Sequence, residues 1–249
     1  MPRRIDAHNH ISVTWDDDIR EGHTSQTAEQ LIADLDRDGF DQAVIFPEPY
    51  DWVYPALHDE VAAAVKRYPN QLVPLALVNP RSGQPGLDEV ERCVREHGAR
   101  AVKFRPDSQS CPANCDAVRQ VVELAARLGI PVFIHSGFSI NAHPLTIGDI
   151  VRDYPEVRFV MQHMFDLTGK HSVKVAKRNP NVSLETSGCY SPYLIREAIE
   201  TLGPDRVLFG SDTPYLPRQL EAFKIECLHL PERVTARVFG ENAAELLGI

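Results

Sequence analysis

The sequence predicts an α/β protein, a single (β/α)8 TIM barrel domain over residues 1–249 that ends in one or two helices. Three observations predict this fold. Short apolar runs alternate with amphipathic segments along the whole chain, the apolar runs number eight, and the length allows roughly 30 residues for each strand–helix unit. No linker interrupts the alternation, so we expect one domain.

The eight apolar runs have the composition of strands in a closed parallel sheet. Each is rich in Val, Ile, Leu or Phe, as a parallel strand buried on both faces requires. The predicted strands are Arg4 to His8, Gln42 to Phe46, Leu72 to Val78, Arg100 to Arg105, Pro131 to His135, Val157 to His163, Asn181 to Thr186 and Arg206 to Asp212.

Helices are predicted between the strands by apolar residues at helical spacing. The first stripe covers residues 28–35, follows a possible capping box formed by Thr27 and Gln30, and stops at Gly39. Similar stripes lie at 57–68, 118–128 and 194–202, the last after Ser191-Pro192. Residues 231–249 predict one or two terminal helices with a break at Gly240.

Composition and charge narrow the class of partner. The formal net charge is −9, whereas nucleic acids and anionic membranes require a basic face. The chain has no run of 18 apolar residues and no signal-peptide core at its start. We therefore expect a cytoplasmic protein with a small-molecule substrate, no nucleic acid and no membrane, and a homodimer as the default assembly.

Five scattered cysteines favour reduced intracellular thiols over a disulfide framework. Cys111 and Cys115 are near enough in sequence to suggest a metal or redox pair. Their C-x-x-x-C spacing lacks a second pair, which favours an ordinary position in a surface loop and at a helix start.

Potential metal ligands follow four of the predicted strands. His8 and His10 end the first, His135 the fifth, His163 the sixth and Asp212 the eighth. Residues at the carboxyl ends of barrel strands form the active sites of this fold. Three imidazoles and a carboxylate suit one divalent ion, with zinc the first choice and manganese possible.

Alternation along the first strand extends this reasoning. Because residues two apart on a strand share a face, Asp6, His8 and His10 are expected to project together. Each residue also has an ordinary explanation: Asp212 could cap a turn, and His163 could be a hydrogen-bonded core histidine. Their joint placement on four strands favours the metal site, which would activate water for hydrolysis.

The chain resembles the amidohydrolase superfamily, in particular the compact relatives of aminocarboxymuconate-semialdehyde decarboxylase. The resemblance lies in D-x-H-x-H on the first strand, A-V-K-F-R-P, I-P-V-F-I-H-S-G, Q-H-M, G-S-D-T-P-Y and the terminal N-A-A-E-L-L-G-I. It implies that His8, His10, His135 and Asp212 hold the ion. It further implies that His163 is a catalytic or activating imidazole and that Asp212 also shuttles a proton.

The fourth strand departs from that pattern. Many relatives have a histidine after a Lys-Leu pair, whereas this chain has Lys103-Phe104-Arg105. Lys103 is expected to pair with a carboxylate such as Asp6, Glu185 or Asp212, and carboxylation of Lys103 is the less favoured alternative. Some lactonases of the group work without a metal, so the ion itself is an expectation.

Substrate contacts are predicted from charge and aromatic content. Lys103 and Arg105 are candidates to meet a substrate carboxylate. The loops Phe46 to Trp52 and Phe138 to His143 are expected to form pocket walls, and their aromatics, together with Trp15, Tyr190 and Tyr215, suit a flat unsaturated substrate.

Three functions compete at this point. The main hypothesis is a metal-dependent hydrolase of an amide, lactone or similar carbonyl bond, in which Asp212 accepts a proton from water and His163 steadies the oxyanion. The alternative is non-oxidative decarboxylation of an aromatic or dienoic acid, which release of carbon dioxide would distinguish. The third is a barrel that has lost catalysis and serves as a scaffold, which predicts no bound metal.

Overall fold

The computed structural model describes residues 2–11, 26–47, 54–137, 139–164 and 170–249, and these form the predicted barrel. Among the helices of these residues, none has the length and apolar composition needed to cross a membrane.

The strands run parallel and in sequence order around the barrel. They are β1 Ile5–Ile11, β2 Gln42–Pro47, β3 Leu72–Pro74, β4 Ala76–Leu77, β5 Val102–Phe104, β6 Val132–His135, β7 Phe159–Gln162, β8 Val182–Glu185 and β9 Val207–Leu208. β3 and β4 occupy the third predicted strand, which is interrupted at Leu75. The segment after β9 closes the barrel on β1, because Ala7 N donates to Phe209 O (3.0 Å) and His10 N to Thr213 O (2.8 Å). All eight predicted strands are confirmed.

Helices cover the outside of the strands. They are α1 Ala28–Asp38, α2 Tyr54–Arg67, α3 Gln84–Glu96, α4 Asp116–Leu128, α5 Pro144–Asp153, α6 Lys170–Arg178, α7 Pro192–Leu202, α8 Arg218–Glu226, α9 Glu232–Ala236 and α10 Asn242–Leu247. The capping box predicted for α1 is present, with both Thr27 and Gln30 hydrogen bonds formed, and Gly39 ends the helix in the left-handed conformation.

The predicted break at Gly240 is wrong. Arg237–Glu241 form a π-helical turn that joins α9 to α10 without interruption. Gly240 is required there for a different reason: a Cβ at this position would collide with the carbonyl of Arg3. The glycine therefore lets the terminal helix pack against the start of β1.

Two apolar clusters build the core. Inside the barrel, side chains such as Ile5, Val44, Phe133 and Val160 fill the core. Outside it, a larger cluster packs the helices onto the strands. Because the interior is filled with closely packed side chains, the polar groups at the carboxyl ends of the strands lie directly above a rigid apolar core.

Candidate active site

His8 is completely buried in the middle of β1 and is held between two carboxylates. Its Nδ1 lies 2.9 Å from Glu185 Oε2, and its Nε2 lies 3.0 Å from Asp212 Oδ1. Glu185 ends β8 and Asp212 follows β9, so three strands position the group. Gly210 permits this approach, because a Cβ there would overlap the Glu185 carboxylate.

His10 joins the same cluster from the end of β1. Its Nε2 lies 3.1 Å from Asp212 Oδ1, so both imidazoles converge on one carboxylate oxygen. Asp212 has φ of 62°, a left-handed conformation that costs a non-glycine residue about 1 kcal/mol. Two backbone hydrogen bonds hold it: Asp212 N donates to His8 O, and Tyr215 N donates to Asp212 O, both at 2.9 Å.

A second line of hydrogen bonds leads away from Glu185. Ser187 Oγ lies 2.8 Å from Glu185 Oε2, 2.9 Å from His163 Nδ1 and 3.3 Å from His8 Nδ1. His163 Nε2 in turn lies 3.0 Å from His135 Nδ1. Ser187 thus contacts the imidazoles of both His8 and His163. His135 is connected to this hydrogen-bond network through His163.

His135 is placed differently from the other predicted ligands. Its Nδ1 faces His163, and its Nε2 lies 3.3 Å from Asp107 Oδ2. Donor atoms of His8, His10 and Asp212 lie within 4.8 Å of one another, and those of His8, His163 and Glu185 do likewise. His135 belongs to neither group, so its role as a ligand stays a prediction.

Lys103 brings a cation into the cluster. Its side chain is 1% exposed on β5. Nζ lies 3.0 Å from His8 Nε2 and 3.6 Å from the centre of the Phe46 ring. The lysine therefore contacts a histidine and an aromatic face, and its predicted pairing with Glu185 or Asp212 stays a prediction.

Arg105 follows β5 at the rim of the site. Its Nε donates to Asp107 Oδ1 at 3.1 Å, the carboxylate that also meets His135. The guanidinium is part-exposed. Its predicted contact with a substrate carboxylate remains a prediction.

Burial and local charge divide the histidines by protonation state. Burial and the Lys103 charge lower the pKa of His10 to about 3, and burial lowers the pKa of His135 to about 4. Burial and the neighbouring His135 hold the pKa of His163 well below its ordinary value. At neutral pH these three imidazoles are uncharged and carry lone pairs.

His8 and Asp212 shift in the directions expected of an ion pair. Burial and Lys103 oppose protonation of His8, but Asp212 and Glu185 outweigh them and raise its pKa. Burial also opposes ionisation of Asp212, yet His8 and His10 hold the pKa of its carboxyl well below the usual range. Asp212 is therefore ionised at neutral pH.

These donors fit a divalent cation. Two imidazole nitrogens and an ionised carboxylate converge, and the Nδ1 of His8 is bound to Glu185, the arrangement that orients a metal-ligating histidine through its other nitrogen. A cation held by these donors would lie against His8 Nε2 and Asp212 Oδ1, which are now 3.0 Å apart.

The expected common face of Asp6, His8 and His10 is wrong for Asp6. β1 shifts register against β2 between Asp6 and Asn9, and Asp6 Oδ2 accepts hydrogen bonds from Arg218 Nε (2.7 Å) and Ser211 Oγ (2.6 Å). Asn9 Oδ1 contacts the same Arg218 at 2.9 Å. The bulge turns Asp6 away from the histidines, and it is not the partner of Lys103.

The predicted aromatic wall is described in part. Phe46 packs on His10 with ring centroids 4.6 Å apart, and Tyr215 lies 5.3 Å from the same ring. Tyr190 follows β8 and is 59% exposed. Trp15, most of the loop after Phe46, and Phe138 lie outside the described residues.

Ser187 and Asp107 were not predicted as site residues, and Glu185 was predicted only as one possible partner of Lys103. The strand-end rule could have found Glu185, since it is the next-to-last residue of the seventh predicted strand and the last residue of β8. Ser187 and Asp107 lie in connecting segments, and no pattern in the sequence indicates which way they point.

Together these features define a (β/α)8 barrel with buried, titratable side chains at the carboxyl ends of its strands. The chain belongs to the amidohydrolase family: the sequence model of that family matches residues 5–249. The resemblance stated from the motifs is thereby confirmed.

Solved structures share the fold over the whole chain. 5-Carboxyvanillate decarboxylase from Sphingomonas paucimobilis has a TM-score of 0.82 at 17% identity, with 100% of both chains covered. 2,6-Dihydroxybenzoate decarboxylase from Rhizobium has a TM-score of 0.83 at 14% identity, covering 100% of this chain and 99% of that one. Dihydroxybenzoic acid decarboxylase from Polaromonas sp. JS666, with bound manganese and the inhibitor 2-nitroresorcinol, has a TM-score of 0.78 at 16% identity and covers 100% and 97%.

Proposed function

We propose that this protein is a divalent-metal-dependent, non-oxidative decarboxylase of an aromatic acid that carries a hydroxyl beside its carboxylate. The observation that carries the proposal is the convergence of His8, His10 and Asp212 beside the Lys103 ammonium, in a barrel shared along its full length with three decarboxylases of such acids. The proposal favours the alternative hypothesis over hydrolysis.

His8, His10 and Asp212 would hold the ion, and His135 would complete the set that the family resemblance implies. Manganese is bound in the Polaromonas decarboxylase, and zinc is equally compatible with these nitrogen and oxygen donors. When bound, the ion supplies a positive charge that chelates the substrate oxygens and withdraws electrons from the ring.

Lys103 and Arg105 supply further positive charge for the substrate. The Lys103 ammonium is buried beside His8, where a carboxylate would be attracted strongly because water does not screen the pair. Arg105 lies at the rim and is already oriented by Asp107. Tyr215 would supply an apolar face for the ring, and Trp15 and Tyr190 remain candidates for the outer wall. Phe46 is completely buried against His10 and Lys103, so its role would be to hold those two side chains in place.

Proton transfer is assigned to Asp212, with His163 as the neighbouring base. Asp212 is ionised and can accept the proton of the substrate hydroxyl. It then returns that proton to the ring carbon that bears the carboxylate, and the bond from this carbon to the carboxylate breaks with release of carbon dioxide. His163 is uncharged, so it can take up a proton transiently without leaving a buried charge at rest.

The test is carbon dioxide release from 2,6-dihydroxybenzoate and 5-carboxyvanillate by protein loaded with manganese or zinc. The Asp212→Asn variant should lose activity by a factor of about 10³ or more. His97→Gln is a matched control, because His97 lies among residues at the opposite end of the barrel. Metal content is measured for each variant, so loss of the ion is distinguished from loss of the proton acceptor.

Hydrolysis is a second candidate, favoured by the family description and by the ionised Asp212, which could accept a proton from water. A panel of lactones and amides assayed for acid release separates the two. Ring opening or amide cleavage without carbon dioxide from any aromatic acid would replace the first proposal with the second.

A further inference from the structure

Two thiols face each other in the segment that follows β5. Cys111 Sγ lies 2.8 Å from Cys115 Sγ, longer than the covalent bond of about 2.05 Å but close enough to form one with a small movement. The other three thiols each donate to an oxygen instead: Cys93 to Glu89, Cys189 to the Ser191 carbonyl and Cys227 to the Lys224 carbonyl. Cys111 Sγ also lies 4.0 Å from the Pro112 carbonyl oxygen, so Cys111 and Cys115 differ from the other three in that each has a second thiol in contact.

The backbone between them is already folded into a turn. Cys115 N donates to Pro112 O at 3.0 Å, and Cys115 is the residue that precedes the first turn of α4. Cys111 N donates to Pro106 O at 3.1 Å, and Ala113 N to Asn141 O at 2.9 Å. Bond formation therefore does not require the segment to refold.

The two sulfurs differ in accessibility. Cys111 is 2% exposed, and burial together with the Cys115 hydrogen bond raises the pKa of its thiol to about 12. Cys115 is half-buried and can meet a small reagent. This asymmetry is typical of a pair in which the accessible thiol reacts first with an external disulfide and the buried thiol then resolves the mixed disulfide.

We propose that Cys111 and Cys115 form a reversible intramolecular disulfide by exchange with a small-molecule disulfide of the glutathione type. The Cys115 thiolate attacks one sulfur of the small disulfide, whose S–S bond breaks and releases one thiolate. Cys111 then gives up its proton and attacks Cys115 Sγ, which breaks the mixed disulfide and releases the second thiolate. The protein loses two electrons and two protons, and the small disulfide is reduced to two thiols.

The bond would close the turn at the base of the segment that carries Asp107. Asp107 contacts His135 and orients Arg105. A disulfide between Cys111 and Cys115 would therefore constrain the backbone of the segment that places Asp107 at the site. The inference does not depend on which reaction the site performs.

The experiment treats the reduced, metal-loaded 249-residue chain with oxidised glutathione in the absence of oxygen, and follows intact mass and linked peptides. The wild type is expected to lose two of its five thiols, to retain no glutathione, to yield one peptide pair joined through Cys111 and Cys115, and to recover all five thiols on reduction. This reaction should be on the order of tenfold faster than modification of the half-buried Cys227.

Variants separate the two roles. Cys111→Ser should accumulate a glutathione adduct on Cys115, whereas Cys93→Ser should behave as the wild type. Five thiols that survive treatment, an adduct that persists on wild-type Cys115, or a bond that maps to another pair would overturn the proposal. Because peptide mapping of the wild type decides the matter, a variant that fails to fold leaves the test intact.

Discussion

The ammonium of Lys103 lies 3.0 Å from Nε2 of His8, the same nitrogen that approaches Asp212 Oδ1. A buried cation thus already contacts the atom that a metal ion would bind. Lys103 and the ion are expected to repel each other at this distance, and the repulsion is larger than at the surface because the site excludes water.

Replacement of Lys103 by methionine is therefore expected to tighten manganese binding about tenfold, a change of about 1.4 kcal/mol. Calorimetric titration of the metal-free protein measures it. Lys103→Arg retains the charge and should not show the gain, and Lys174→Met, on the exposed face of α6, should match the wild type. Weaker binding by Lys103→Met would mean that the lysine supports the ion rather than opposing it.

Glu185 is expected to control metal affinity without touching the ion. Glu185→Gln removes the charge that accepts the His8 Nδ1 hydrogen bond at 2.9 Å, so the lone pair of Nε2 is no longer fixed toward Asp212. Loss of such a partner weakens metal binding by about 10- to 100-fold. Titration with manganese provides the comparison, and Glu123→Gln on α4 is the control. Unchanged affinity would show that metal binding does not need the Glu185 charge to orient His8.

His163 is expected to act on turnover rather than on the ion. It contacts Ser187 and His135, and it is separate from the donor group formed by His8, His10 and Asp212. His163→Gln should lower kcat by about 10²- to 10⁴-fold, while the manganese Kd stays within about threefold of the wild type. Parallel kinetics and titration decide this. A large loss of affinity would instead make His163 a ligand.

Glu89 links α3 to α2, and we expect it to make the free energy of unfolding depend on pH in the acidic range. Burial opposes its ionisation, but hydrogen bonds from His58 (2.7 Å) and Arg92 lower the pKa of Glu89 to about 2, from an ordinary value of 4.5. A lowered folded-state pKa stabilises the protein above pH 4.5, and this contribution is lost as the pH falls toward 2.

Glu89→Gln should accordingly lower the free energy of unfolding by about 1–3 kcal/mol near pH 6, and the difference from the wild type should shrink between pH 4.5 and 2. Urea denaturation at several pH values measures both. Glu96→Gln, an exposed change on the same helix, is the control. A difference that stays constant over this range would assign the effect to packing.

Much of the architecture was predictable from the sequence, because buried positions are occupied by apolar residues at spacings typical of strands or helices. Strands buried on both faces are continuously apolar, and helices show one apolar stripe, so all eight strands and the capped start and end of α1 could be predicted. The rule that barrel sites lie at strand ends then selected His8, His10, His135, His163 and Asp212, which the fold brings to one end of the barrel.

What tertiary structure decided is the set of contacts that periodicity does not encode. The bulge in β1 lies between Asp6 and Asn9, and a one-residue shift in register there places the side chains before and after it on different faces. Asp6 therefore contacts Arg218 and does not face the same side as His8 and His10. The close packing of Gly240 on Arg3 kept the terminal helices continuous. Ser187 and Asp107 entered the site from loops, and the pairing of Cys111 with Cys115 depends on a turn. Sequence alone predicted the strands and four of the strand ends that bring polar side chains to one end of the barrel, since hydrophobic burial is local and repetitive. Which side chain faces which depended on long-range packing, since hydrogen-bond partners at the site can be far apart in the sequence, as Asp6 and Arg218 are at 212 positions.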